Sequence, residues 1–546
     1  MPDSAISPVR WLFGPGSTGP QGHLGARWIV LRALGLIYYS AFFSLLFQVT
    51  GLIGPNGILP AKDYLQYLAQ HLGTVERYWY APTVFWLSSS DVSLKLMCWV
   101  GMAAAVLLTI NIWPRAMLLV CFISYLSFVA ALQDFSSYQS DGMLLEAGFI
   151  ALFFAAPGLR PGLGRDHPPS RASFFLLQWE WFRIYFESGC VKLLSGDPQW
   201  RHFTAMDQYY QNGPLPTWIG WYVQHLPHGF HAFTVGLTFA VELGIVFLMF
   251  VPWRRLRVLC FLIVTPFEIG IILTANYTFL NYLVLSLGFL LLDDRALSAV
   301  RIKKVSTWVK AKLALGLLPT GIQAEATSDG EDGSPPRWRQ HVAAIRLAIS
   351  AVALTWIFYV TTVLLLWMFS PRLPLPIQPV AALEPFRIAN RYGLFAVMTR
   401  ARYEIEFQGS YDGKTWEAYP FRYKPQDLHQ PPGIYAPYQP RFDWNLWFAS
   451  LDNWRNNPWV AHTEELLLIN DPEVLTLFAG NPFANKAPTQ MRAVVWQYWF
   501  TNMATKRQQG LWWRRQDLGL YAPALERQPD GSIGVTAMPG TPPPAP

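Results

Sequence analysis

Nine stretches of the chain read as apolar runs separated by polar links. They lie at 28–50, 92–112, 115–133, 141–156, 172–194, 228–251, 257–275, 278–292 and 346–369. A straight helix needs about 20 apolar residues to cross a hydrocarbon core of ~30 Å. Most of the runs meet that length. The runs at 141–156 and 278–292 fall short, so they borrow flanking residues or are re-entrant, and the pattern predicts nine spans, with eight as the alternative. Residues 1–27 precede the first run and carry no apolar core followed by a small-residue cleavage site, so they read as a cytoplasmic segment rather than a signal peptide.

The periodicity changes after Ser370. Pro371, Pro374, Pro376 and Pro379 stiffen the exit from the last run. Tyr403 to Tyr411 alternates apolar and polar positions, as does Trp416 to Tyr423, with Asp412-Gly413 between them, which predicts a β-hairpin. Helical patches are expected near 444–454, 464–468 and 472–477, and a strand over Met491 to Thr501. The predicted class is a polytopic α-helical membrane protein with a C-terminal β-rich, sandwich-like aqueous domain plus helices. Its parts are a helical domain at 28–295, a basic cytoplasmic loop at 296–345, a last span at 346–369, the β-rich domain at 370–525 and a disordered tail at 526–546. The stretch Thr327 to Pro336 is of low complexity and reads as flexible.

Composition agrees with a membrane part averaged with an aqueous one. Hydrophobic residues make up 52% of the 546 residues and charged residues 14%, against about 25% charged in a soluble domain. The net charge of +7 does not form a basic patch with interleaved stacking aromatics, which excludes a nucleic-acid partner. The basic residues instead occupy alternate links. Arg10 and Arg27 precede the first run, Arg115 follows the second, and Arg160, Arg165 and Arg171 follow the fourth. Arg254, Arg255 and Arg257 follow the sixth, and the link after the eighth is the most basic of all. The links around Asp134 to Asp141 and around Asn276 have no Lys or Arg. The positive-inside rule then puts the N-terminus in the cytoplasm and the C-terminal domain on the far side.

Catalytic and metal signatures are sparse. Cys98, Cys121, Cys190 and Cys260 all lie in or beside apolar runs, without zinc spacing, and no metal site is predicted. Gly409 to Thr415 resembles a phosphate-binding loop but is one residue short and sits in the hairpin. The notable chemistry is inside the membrane. Glu180, Arg183 and Glu187 share one face of a helix over 172–194, since their spacings are three and four. Glu146, Glu242 and Glu268 are carboxylates in other runs, each available to pair with Arg183 or to line a cavity. Lys192 lies near the far-side end of its helix, about 120° around from Glu180. It has two readings: an ammonium that snorkels to the interface, or a desolvated amine able to act as a base.

Several ordered blocks carry a resemblance. Trp181-Phe-Arg183, Gly189-x-x-Lys192-Leu193, Asp197-Pro-x-Trp200, Gln211-x-x-Pro214-Leu-Pro216, Trp221-Tyr-x-x-His225-Leu-Pro227 and Thr274-Ala-Asn276-Tyr277 resemble the lipase maturation factor family. The aqueous part continues it with Asn390-x-Tyr392-Gly-x-Phe395, Arg402-x-Glu404, Tyr435-x-Pro437-Tyr438 and Arg441-x-Asp443-Trp444-x-x-Trp447-Phe448-Ala449. The resemblance spans residues 28 to 520. It implies a protein of the endoplasmic reticulum membrane, or of the inner membrane in a bacterium, whose far-side domain assists the folding and assembly of secreted lipases. On that reading the partners are membrane lipids and a lipase client, and no cofactor is expected. Asp197, Trp200, His225, Asn276, Tyr277, Arg441, Asp443, Trp444 and Trp447 are then candidates for a client or interface surface, although the tryptophans also suit a domain core.

A shorter likeness is carried by Gly189-Cys-Val-Lys192-Leu followed by Asp197 and Trp200. It is similar to the membrane segment of vitamin K-dependent γ-glutamyl carboxylases, where a lysine deprotonates the quinol. It implies an alternative: a membrane enzyme acting on a lipid or quinone-like ligand with Lys192 as general base.

Overall fold

A computed structural model of the protein describes residues 7–14, 21–136, 138–299 and 337–540. The low-complexity stretch 327–336 and most of the basic loop lie outside the described residues. Nine helices coincide with the nine apolar runs: α1 (Leu24–Leu46), α2 (Asp91–Thr109), α3 (Pro114–Ala131), α4 (Gln139–Phe154), α5 (Arg171–Leu194), α6 (His228–Leu243), α7 (Arg254–Thr274), α8 (Leu280–Gly288) and α9 (Arg337–Phe369). The last begins at Arg337, earlier than the apolar run, because its first turns are polar. Among the described residues six helices are long and apolar enough to cross a membrane: α1, α2, α3, α6 with its 3₁₀ extension Ile245–Phe250, α7 and α9. The other three differ for two reasons: α4 and α8 are short, and α5 carries Glu180, Arg183, Glu187 and Lys192.

Contacts at the helix ends show that the helices run alternately up and down. At one end His23 meets the Leu292 carbonyl at 2.9 Å, the Gly25 N–H donates to Asp294 at 2.7 Å, and Trp113 N–H donates to the Leu159 carbonyl at 2.9 Å. At the other end Gln48 donates to the Gln439 carbonyl at 2.9 Å and Asn276 to the Gly433 carbonyl at 3.0 Å. The C-terminal domain therefore caps the end of the bundle opposite the start of α1. The outward faces stay apolar, as Leu262, Ile269 and Leu273 on α7 and Ile345, Ile349 and Val352 on α9 illustrate. An exposed apolar belt around a helical bundle is what a hydrocarbon surrounding requires.

The C-terminal domain holds one antiparallel sheet of β1 (Arg402–Ser410), β2 (Glu417–Ala418), β3 (Gln490–Phe500), β4 (Trp513–Leu520), β5 (Ala524–Arg527) and β6 (Ile533–Ala537). The order is β2-β1-β3-β5-β6, and β4 pairs with the upper part of β3. This corrects the expected sandwich: the second layer is made by helices α10 (Arg441–Ala449) and α11 (Pro458–Leu468), not by a second sheet. Side chains of β1 alternate between the two layers. Ile405 and Phe407 are buried in the apolar core, where the Phe407 ring stacks on Phe442. Arg402, Glu404 and Glu406 face an ionic layer in which Lys424 is buried and Arg515 half-buried.

The hairpin forms around Asp412, whose carboxylate accepts the Lys414 and Thr415 N–H groups at 2.8 Å, and Gly413 takes φ +69°. Its return strand is only two residues long because Pro420 has no N–H to continue the ladder. The tail is a second correction. Residues 533–537 form β6 rather than a disordered segment, since the turn at Asp530-Gly531 folds them back onto β5.

Glu464 on α11 is fully buried with no basic residue beside it. Burial pushes its carboxyl well above the usual carboxylate range. The folded domain therefore keeps a proton that the unfolded chain releases above about pH 4.3. That proton uptake makes this contribution to stability fall as pH rises through and beyond that value. Glu464→Gln is expected to flatten the fall, seen as a smaller loss of melting temperature between pH 5 and pH 8 than in the unaltered protein.

Candidate functional site

The segment from Ile388 to Thr399, ahead of β1, does not stay with the sheet. It lies against α4, α5 and the link after α5, and the intramembrane charges bind its backbone. Arg183 pairs with Glu146 and donates to the Asn390 carbonyl at 2.7 Å. Glu146 in turn accepts from the Asn390 N–H at 2.9 Å and the Tyr392 hydroxyl at 2.8 Å, and Glu187 accepts from the Tyr392 N–H at 2.6 Å. Glu180 lies fully buried on the same stripe. The i, i+3 and i, i+4 spacing thus makes one polar face, and the face holds the inserted segment.

Just beyond Glu187 on the same helix, Lys192 pairs with Glu242. Its Nζ donates to both Glu242 oxygens at 2.9 Å, to the Leu394 carbonyl at 3.2 Å and to the Ser188 carbonyl at 3.3 Å. The Trp200 ring lies 5.2 Å away. Trp200 Nε1 donates to the Phe395 carbonyl at 2.9 Å, and Asp197 accepts the Met398 N–H at 2.7 Å. Glu268 belongs to a separate group: it accepts from the Tyr185 hydroxyl and from Asn281, both at 2.6 Å.

Between these groups is a cavity of about 780 Å³. Lys192, Glu242 and Glu268 line it; Glu146, Glu180, Arg183 and Glu187 do not. Its walls come from α5, α6, α7 and α8, from Leu394 to Val397 of the inserted segment, and from Trp444 and Trp447 of α10. The size and mainly apolar walls suit a small-molecule site.

The residues considered as a client surface are internal. Asp197, Trp200, Asn276, Tyr277, Arg441, Asp443, Trp444 and Trp447 are all buried, and His225 is partly so. Several of them, Asp197, Trp200, His225, Asn276 and Arg441, join the bundle to the chain beyond Ser370, while Asp443 binds within the sheet domain. Asn276 donates to the Leu215 and Gly433 carbonyls and accepts from the Tyr435 and Ala436 N–H groups. His225 bridges the Trp221 and Thr501 carbonyls at 2.7 and 2.8 Å. Asp443 accepts from the Tyr423 and Lys424 N–H groups at 3.2 Å, and burial pushes its carboxyl up to about 6. Arg441 forms a two-pronged pair with Asp141 at the start of α4. A protein surface offered to a partner must be exposed, and in this structure these side chains make their contacts inside the molecule. The sequence reading had no role for Tyr185, Asn281 or Asp141. The signals were present in each case, as polar side chains inside or at the edge of apolar runs.

The architecture is that of a multi-pass helical membrane protein with a β-sheet domain docked on one end. Known proteins share it in sequence. Residues 25–299 match the lipase maturation factor transmembrane domain, and residues 388–523 match the lipase maturation factor C-terminal domain. The chain is 31% identical to lipase maturation factor 2 of Homo sapiens, over 91% of this chain and 82% of that protein. It is 30% identical to lipase maturation factor 1 of Bos taurus, over 92% of this chain and 89% of that protein. The chain belongs to the lipase maturation factor family. No solved structure matches it.

Proposed function

We propose that this protein assists the folding and assembly of secreted lipases on the far side of the membrane from its N-terminus. The observation that carries the reading is the family match over both parts of a chain whose two parts are interlocked. The finer topology belongs to the same proposal: nine crossings, N-terminus in the cytoplasm and sheet domain in the lumen of the endoplasmic reticulum, or in the periplasm in a bacterium. The alternation of basic links along the sequence supports that orientation, and the alternation of helix ends supports the odd number of crossings. The client is a lipase, and the surrounding lipids are the other partner.

A second reading, a membrane enzyme with Lys192 as base and a lipid or quinone-like ligand, draws support from the cavity that Lys192 lines. Against it, a base needs a free lone pair, and the Lys192 amine is surrounded by four acceptor oxygens. One experiment tests both readings. The full chain and its variants are expressed in cells that lack their own maturation factor, together with a secreted lipase. The intact protein is expected to restore secretion of active lipase, and no restoration would overturn the leading reading. Lys192→Met alone leaves the Glu242 carboxylate buried without its partner, which costs about 3–5 kcal/mol, so protein level and secretion should fall together. Combining it with Glu242→Leu removes both charges and should return both. If the double variant accumulates normally yet is inactive, Lys192 has a chemical task.

A further inference from the structure

The lining of the cavity beside Lys192 includes exposed residues in two places, Pro266 and Gly270 on α7 and Gln139, Val397 and Phe448 beside the sheet domain. Thr234, Leu237 and Thr238 of α6 form one wall, and Ile263, Phe267, Gly270 and Ile271 of α7 form another. The two helices are joined through the 3₁₀ segment Ile245–Phe250 and stand apart on either side of the cavity. Gly270 is exposed at this edge, and a Cβ placed on it would meet no atom within 4 Å. Pro266, one turn earlier, also lines the space. Next to the gap the outer face of α7 is bare apolar surface, with Leu262, Ile269 and Leu273 exposed. At the other end of the cavity, Gln139, Val397 and Phe448 are exposed at the junction with the sheet domain.

The charge on the lining restricts what fits. Among the described lining residues Lys192 is the one basic side chain, and Glu242 neutralises it. A phosphate or free carboxylate headgroup would enter without a counter-charge and beside Glu268, at a high desolvation cost. Uncharged carbonyl oxygens meet no such barrier. In the wall below the sheet domain, Trp444 and Trp447 each bury an indole N–H that has no acceptor in the protein. A buried donor without a partner costs about 1–3 kcal/mol, so an acceptor brought by a ligand is rewarded.

We propose that the cavity is a binding site for an uncharged membrane lipid bearing carbonyl oxygens, which enters between α6 and α7. Its hydrocarbon chain lies along Ile184, Phe267 and Val284, and its carbonyl-bearing head lies beneath Trp444 and Trp447. Two kinds of membrane molecule share this chemistry, acyl glycerides and prenyl quinones. The site is independent of the client reading: it holds whether or not a lipase is the client.

The test is native mass spectrometry and lipid extraction of the full-length protein purified from membranes, then reloaded in detergent with dioleoylglycerol, a prenyl quinone or an anionic phospholipid in turn. The intact chain is expected to carry one uncharged lipid. Preference for dioleoylglycerol identifies the glyceride source, and preference for the quinone identifies the other; each supports the site. Trp444→Phe with Trp447→Phe keeps an aromatic ring at each position and removes both donors, and affinity for the lipid should fall about thirtyfold, the loss of two ordinary hydrogen bonds. Gly270→Trp at the edge of the gap should slow loading without changing the melting temperature of the unloaded protein. A lipid-free protein, preference for the anionic phospholipid, or equal occupancy in all variants would overturn the proposal.

Discussion

Replacing Arg183 with methionine is expected to remove most of the protein from the membrane. The guanidinium is fully buried, and it joins Glu146, Glu187 and the Asn390 carbonyl. Removing one partner of a buried ion pair costs about 3–5 kcal/mol, because the remaining charge stays desolvated. Total stability is only about 5–15 kcal/mol for a typical protein, so a loss of that size is severe. The measurement is the amount of full-length protein in a washed membrane fraction and its melting temperature in detergent. Glu146→Gln in the same chain keeps a hydrogen-bonding group for Asn390 and Tyr392 and removes one charge, so it should recover part of the loss. Equal loss in the single and double variants would mean that Arg183 acts through packing instead.

Arg441→Lys is expected to loosen the sheet domain while leaving the helices inserted. Two nitrogens of Arg441 meet the two oxygens of Asp141 at 2.8 and 2.9 Å, and they also donate to the Phe135 carbonyl at 2.7 Å and the Tyr125 hydroxyl at 3.0 Å. A lysine keeps the charge, but its single nitrogen cannot reproduce a planar fork. With one long-range contact of this kind lost, cleavage by added protease in the 370–400 region should rise several-fold, while the bundle resists. Arg441→Met should have the larger effect, since Asp141 then has no cation. Protection equal to that of the intact protein would show that the docking does not depend on this pair.

The two predictions concern residues that the sequence marked differently. Arg183 stood out because a charge inside an apolar run is costly and demands a partner. Its spacing from Glu180 and Glu187 predicted a polar face, and the structure has one. What it could not identify was the object of that face. Glu146 was one of three carboxylates available to Arg183, and only packing distinguishes it from Glu242 and Glu268. Arg441, by contrast, stood in a stretch that read as aqueous domain, so Asp141 at the edge of an apolar run was no obvious partner. Trp444 and Trp447 show the same limit. Aromatic residues on one short helix suit a surface or a core equally well, and here they roof a cavity made mostly by other helices.

Sequence alone was enough for the nine helical elements, the alternating basic links, the change to strands after Ser370 and the family blocks. These are local properties. Run length, period and charge act over a few turns of chain, and the hydrocarbon core or the sheet ladder selects for them directly. The tertiary structure decided everything that depends on pairing across long separations. It placed the Ile388–Thr399 segment against the bundle, paired Lys192 with Glu242, covered the sheet with helices instead of a second sheet, and left a cavity between α6 and α7. The physical reason is that a carboxylate or an ammonium states only that it needs a partner. Which partner it takes, and whether a space beside it is filled or open, is settled by how the helices pack.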